Sequence, residues 1–485
     1  MDRPDLNRET LVISRRPLRP GGMVEVVRLA APTMAAFATN VAMNLTDTVM
    51  VAGVGPGAVG SVATSAILFH VVCAFFGGLT AAITTFVSQA YGRGDPHDGA
   101  RYSWQGVYLA AAVGVLGFAL VPLLPAFFRL LGHNQAMQAM EADYSQFRIM
   151  SLGFLLLGFA VRNFFQGTGR TKLILVVTLV ANASNVVLNW LLIFGVGPFP
   201  RMGVAGAGLA TLLSTVLLAG LYFVPFLRGR AAREARTRRA AGFSWPRLKG
   251  MLRIGLPTSW QWSLDVLAWG LWHSVLIGRL GQAALDANGV VMEIMSAAWF
   301  PVIGLGQGAT SLVGWYLSRN RVDRVRRVAR SAVKLAVIYM VLISLVFYFC
   351  AERLIGAFFS LQAAPPDAAD LAAVIALGAS VLRIAALWQV FDGVCITLMG
   401  TLRGAGDTLW PAVVQQIQTW CLFLPLAYLF CFHFHLGMPG AWWAGVIHLA
   451  LLAGVLALRY RGTAWMTKDI FRDRRTTLPR EATDH

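Results

Sequence analysis

Four carboxylic acids stand where a chain carries charge at the greatest cost. Asp47, Asp265, Glu293 and Asp392 each lie inside an apolar run long enough to cross a membrane. An ionisable group at the centre of such a helix costs roughly 2.5–3.5 kcal/mol, so each needs a partner or a task. Asn40, Asn44 and Asp47 follow i, i+4, i+7 spacing, which puts them on one helix face. Asn182, Asn185 and Asn189 form a second stripe at i, i+3, i+7. Two amide stripes around one carboxylate make an oxygen-rich pocket suited to a Na⁺ ion, with Asp47 and Asn185 as ligands, or to a carboxyl that carries a proton. The competing reading is that the asparagines only bond helix to helix.

The second half has its own constellation. Asp265 follows Pro257 by eight residues, and Gln261, Trp262, Trp269 and Trp272 share its face by helical spacing. A carboxylate flanked by indoles suits a desolvated organic cation, since ring faces add roughly 0.5–2 kcal/mol of attraction. Asp392 has Trp388 and Gln389 one turn earlier on the same side. Glu293 is grouped with these substrate-facing residues. Arg383 lies opposite Asp392 on its helix, so its expected partner is Glu293 or Asp265. Interfacial anchoring is the alternative for the tryptophans, and it is the expectation for Trp442, Trp443 and Trp465. His70 and His273 read first as packing residues. The turn Gly404-Ala405-Gly406-Asp407 lacks the lysine of a phosphate loop and reads as a tight turn. With no nucleotide motif, an ion gradient of H⁺ or Na⁺ is the expected energy source, and neither enzyme chemistry nor a cofactor is expected.

These residues need membrane helices to position them, and the composition supplies them. Of 485 residues 57% are apolar and 13% charged, with a mean hydropathy of +0.62, which excludes a soluble globular protein. Twelve candidate spans run near 25–53, 61–89, 104–128, 142–163, 173–194, 204–227, 254–277, 286–317, 332–350, 371–398, 410–431 and 439–458. The net charge of +18 sits in clusters between spans, the positive-inside pattern of a multi-pass protein rather than a nucleic-acid surface. That pattern puts both termini in the cytoplasm, in a bacterial inner membrane. The divisions expected are a tail (1–24), an N-lobe (25–227), a basic linker (228–253), a C-lobe (254–458) and a second tail (459–485).

The two lobes repeat one another. Pro32-Thr33-Met34 returns as Pro257-Thr258-Ser259, and Thr84 to Ser88 before Arg93 returns as Thr310 to Gly314 before Arg319. Gln166-Gly167-Thr168-Gly169-Arg170-Thr171 is answered by Arg403-Gly404-Ala405-Gly406-Asp407-Thr408, and Gly203 to Ala207 by Gly437 to Ala441. Six spans per unit is an even number, so the halves are parallel repeats with the substrate path between them.

Asp47 to Gly53, Val87 to Gly92, Asn185-Val186-Val187-Leu188-Asn189 and Leu402 to Thr408 together resemble the multidrug and toxic compound extrusion (MATE) transporters. The resemblance covers about residues 25 to 460. It implies an all-α protein of twelve transmembrane helices in two pseudo-symmetric six-helix lobes forming a V. The implied activity is cation-coupled export of amphipathic, often cationic, drugs. It also places Asp47, Asn185, Asn189 and Thr211 on an N-lobe cation site, and Asp265 and Asp392 on the acidic pair of the NorM-like branch. Archaeal members have aspartate at the Asn189 position, and the branch usually has glutamate at the Asp265 position. A lipid-linked oligosaccharide flippase of the same superfamily is the rival, although its cavity would be basic. A monomer is the default expectation.

Overall fold

The computed structural model describes residues 19–54, 58–130, 135–360 and 368–471. Twelve long helices follow one another: α1 (Met23–Ala52), α2 (Ala58–Gly92), α3 (Pro96–Leu120), α4 (Gln135–Gly167), α5 (Thr171–Phe194) and α6 (Gly203–Arg228), then α7 (Trp245–Leu271), α8 (Gln282–Ser318), α9 (Val322–Phe349), α10 (Ala368–Gly404), α11 (Leu409–His433) and α12 (Gly437–Arg461). Eleven are long and apolar enough to cross a membrane; α7 is long enough but too polar to count with them. The chain is thus a multi-pass membrane protein with two six-helix lobes.

Backbone conformation repeats where the sequence repeats. Gly94 and Asn320 precede α3 and α9 with φ of 81° and 56°, Gly169 and Gly406 precede α5 and α11 with 75° and 86°, and Gly203 and Gly437 open α6 and α12 with 56° and 59°. Left-handed backbone is open to glycine and tolerated by asparagine, so two of these turns keep glycine in both halves and the first exchanges glycine for asparagine. At the first of them Asp95 caps α3, accepting from the Asp98 N–H at 3.1 Å, with Pro96 in the first turn.

The lobes meet along small residues. A Cβ on Gly304 of α8 would lie 2.6 Å from the Met34 nitrogen of α1, and one on Gly78 of α2 would lie 2.7 Å from the Ser259 backbone of α7. Hydrogen bonds between the lobes cluster toward the end that carries the linker. Arg162 donates to Gln307 Oε1 at 2.9 Å, Gln89 to the Gly404 carbonyl at 3.0 Å, Thr85 to the Arg403 carbonyl at 2.9 Å, and Trp315 to the Gly167 carbonyl at 2.8 Å. The structure is closed at its linker end.

Two segments differ from the sequence expectation. The basic linker contains a short helix, Arg230–Ala235, and α7 begins at Trp245, inside the 228–253 linker and nine residues before the span expected from 254. Ala231, Ala232, Ala235 and Ala240 are buried. Trp104 donates to the Thr237 carbonyl at 2.8 Å, and Arg247 pairs with Asp98 at 3.2 Å, so the linker is docked on α3. The C-terminal tail also folds back. Trp465 is fully buried, and Phe471 reaches the N-lobe, where it meets Phe86 at 5.6 Å and Tyr102 at 6.0 Å, with the Arg93 guanidinium 3.5 Å above its ring. Trp442 is likewise fully buried, so of the three tryptophans expected at the interface only Trp443 is exposed.

Candidate functional site

In the N-lobe, α5 presents its asparagines to α1. Asn189 Nδ2 donates to Asp47 Oδ1 at 2.5 Å and to Asn185 Oδ1 at 3.2 Å, and Asn185 Nδ2 donates to Ser214 Oγ of α6 at 3.2 Å. Two turns away, Asn182 Nδ2 donates to Asn40 Oδ1 at 2.9 Å and to Thr39 Oγ1 at 3.1 Å. The structure therefore brings Asp47, Asn185 and Asn189 together and joins Asn40 to the same helix pair. Asn189 Oδ1 is buried without a hydrogen-bond partner, an oxygen left beside the carboxylate. Arg148 of α4 lies within Coulombic range of Asp47. Asn44 stands apart, exposed. The Thr211 hydroxyl is directed along its own helix to the Ala207 carbonyl at 2.9 Å, and it is Ser214 that reaches the asparagines.

In the C-lobe, Asp265 is held by two neighbouring residues of α11. Gln415 Nε2 donates to Oδ2 at 2.6 Å, and Gln416 Nε2 to Oδ1 at 2.7 Å. Both amides are themselves oriented. Trp420 Nε1 donates to Gln416 Oε1 at 3.1 Å, and an indole is a donor only, so Gln416 must turn its NH₂ to Asp265. Gln261 Nε2 donates to Gln415 Oε1 at 2.6 Å. Asp265 thus receives donors from both glutamines, the arrangement that suits a carboxylate. Asp392 lies within Coulombic range of it. One turn before Asp392, Gln389 is fully buried with neither amide atom bonded. Buried polar groups are rarely left this way, which marks Gln389 as a place for water or an ion.

The tryptophans divide. Trp269, Trp388, Trp272, Trp442 and Phe423 pack on one another with ring centroids 5.3–6.3 Å apart, and Trp388 is 4% exposed. In this state Trp388 packs within the C-lobe instead of facing a substrate. Trp262 sits where the lobes meet, 5.4 Å below the Arg403 guanidinium and beside Gly77. Glu293 is exposed and has no bond to Arg383, nor has Asp265. Arg383 pairs instead with Glu352 at 2.9 Å, because the short helix Ala351–Ser360 packs against α10 at that level. His273 is within 2.7 Å of Asn288, whose oxygen accepts from Trp442 at 3.1 Å, a packing role.

Sequence reasoning missed Ser214, Gln415, Gln416, Trp420 and Phe423. The glutamine pair inside an apolar run was a visible signal. The register of α11 was not, because π-helical turns at Thr419–Phe423 and Leu429–His433 rotate its faces away from 3.6-residue spacing.

Comparison with known proteins agrees with this architecture. The family described as MatE matches residues 32–191 and again 265–429, once in each lobe. A relative from Mesorhizobium japonicum, described as a probable multidrug resistance protein NorM, is 31% identical over 91% of this chain and 93% of its own length. Another from Burkholderia vietnamiensis, described as multidrug resistance protein NorM, is 29% identical over 90% and 93%. Among solved structures, one described as the outward-facing conformation of a multidrug resistance MATE family transporter superposes with a TM-score of 0.81 at 21% identity, over 93% of this chain and 97% of that one. A crystal structure of MATE in complex with MaL6 gives 0.81 at 20% identity, over 95% and 100%. Duplicated lobes, repeated turns and a family match in each half make this chain a member of the MatE family.

Proposed function

We propose that this protein is a cation-coupled antiporter that exports organic cations and related drugs by alternating access between its lobes, with the proton as coupling ion. The observation that carries the reading is a buried or half-buried carboxylate oriented by amides in each lobe: Asp47 under Asn189, and Asp265 between Gln415 and Gln416. The names of the bacterial relatives support multidrug export. The basic linker and both chain ends lie on the cytoplasmic side by the positive-inside rule, so the closed linker end makes this the outward-facing state of an inner-membrane protein. One chain holds both lobes, and a monomer suffices.

The donor pattern favours H⁺ over Na⁺. Na⁺ needs several oxygens, and at Asp47 the Asn189 amide turns its N–H to the carboxylate, leaving Asn189 Oδ1 as one unbonded oxygen beside it. At Asp265, taking up a proton turns an acceptor into a donor, so one glutamine must present its oxygen. Trp420 pins Gln416, so Gln415 turns, and Gln261 must follow because its own N–H then faces another donor. Proton uptake from outside is in this way passed along α7 toward the linker end. Coupling follows if the two lobe arrangements bind the proton unequally. A charge crossing roughly 100 mV supplies about 2.3 kcal/mol, enough for about fiftyfold accumulation of a neutral substrate.

The test is ethidium efflux from proteoliposomes under an imposed proton or Na⁺ gradient, for the wild type and Asp47→Asn. A proton-driven efflux lost in the variant is expected. If neither gradient moves ethidium or a small panel of cationic drugs, the antiporter reading fails and lipid-linked substrates come next.

A further inference from the structure

Between the linker halves of α7 and α11 lies a groove of about 660 Å³, bordered on the N-lobe side by Trp260, which packs edge-on against Phe75 of α2 at 5.7 Å. Its walls are apolar, and Leu409, Val413 and Ile417 along it are exposed, so it is open along one apolar side. Its polar end is at the linker level, where Arg253, Lys468, Asp407 and Asp469 gather. Asp407 is answered by Arg459 at 2.9 Å and Lys468 at 3.9 Å, so among the described residues three bases meet two acids there, and the Lys468 side chain is half exposed. At its other end the groove reaches Gln261 and Gln416, the second of which holds Asp265.

We infer that this groove is a binding site for one anionic phospholipid of the linker-side leaflet. The dimensions fit: from Arg253 to Leu264 is eleven helical residues, about 16 Å, and half of a roughly 30 Å hydrocarbon layer is one leaflet. An acyl chain lies along Leu256, Trp260 and Leu264 on one wall and Val413 and Ile417 on the other, with its phosphate at Arg253 and Lys468. The chain end rests against Gln261 and Gln416, so lipid occupancy bears directly on how Asp265 is held.

The experiment is native mass spectrometry of the delipidated full chain titrated with phosphatidylglycerol or phosphatidylcholine, a binding readout that stands whether or not the protein exports drugs. One phosphatidylglycerol is expected to bind in preference, by about fivefold for each basic residue at the headgroup. Arg253→Gln with Lys468→Gln should remove the preference, and Lys468→Gln alone serves if the double variant does not fold. Val413→Trp should fill the groove and abolish the tight site for either lipid. Equal binding of the two lipids by the wild type, a tight site that survives Val413→Trp, or a Val413→Trp-sensitive site that takes ethidium and no lipid would each overturn the proposal.

Discussion

Asp47 and Asp265 solve one problem in two ways. Asp47 leans on an amide whose second N–H is shared with Asn185, and Asp265 takes both its donors from one helix. A hydrogen bond to a charged group contributes about 1.5–3 kcal/mol, so Asn189→Ala should lower proton-driven efflux by at least tenfold, with Asn185→Ala a smaller loss. In the other lobe Gln416→Leu removes a donor outright and should cost about as much. Trp420→Phe only frees the amide to turn, and is expected to cost less than Gln416→Leu; equal losses would show that the indole does more than orient. These comparisons are made on initial rates at matched protein content in the liposomes. The asparagine stripe was legible because helical spacing alone places 182, 185 and 189 on one face. The glutamine clamp was not, because it joins residues some 150 positions apart, a pairing that only the packing of α7 on α11 creates.

At the level of elements, the legible part was whatever the duplication repeats: the proline inside α1 and α7, the left-handed residues before α3 and α9, the glycines opening α6 and α12. Each marks a backbone need that a sequence must state locally. What stayed hidden depends on tertiary contact. The linker looks solvated by composition, yet its alanines face α3 and its arginines face outward, a pattern too short for periodicity to reveal. The close approach of α1 to α8 has a direct consequence. Gly304→Leu would drive a side chain into the Met34 backbone, where no rotamer relieves it. Overpacking costs typically about 1–3 kcal/mol, so the variant should melt several degrees lower and lose transport, as measured by thermal shift in detergent and by efflux. Gly270→Leu, at a position with open space around it, is the control and should melt like the wild type.

Across the whole molecule, the described residues flanking α1 and α12 are each held by the opposite lobe. Before α1, the Gly21 carbonyl accepts from Ser331 of α9 at 3.0 Å and the Pro20 carbonyl from Arg327 at 3.2 Å, and in its first turn Glu25 accepts from Tyr316 at 2.8 Å. After α12, Phe471 is seated among N-lobe aromatics beneath Arg93. Burying a phenylalanine contributes about 1.5–3 kcal/mol, enough to weigh on an equilibrium between lobe arrangements. Phe471→Ala should therefore open the linker end more often. Ser311→Cys, buried in the wild-type background, should then be alkylated faster by a maleimide that cannot cross the membrane, applied from the linker side; unchanged labelling would mean the tail adds nothing to closure.

The crossed anchoring of the ends also means that the lobes cannot part at this face without pulling residues near 20 or 471 from their seats. A protease added on that side would then clip the tail at a rate set by how often the transporter turns inward. Limited proteolysis of the unlabelled protein becomes a clock for the cycle, slowed by whatever holds it outward and quickened by whatever draws it in.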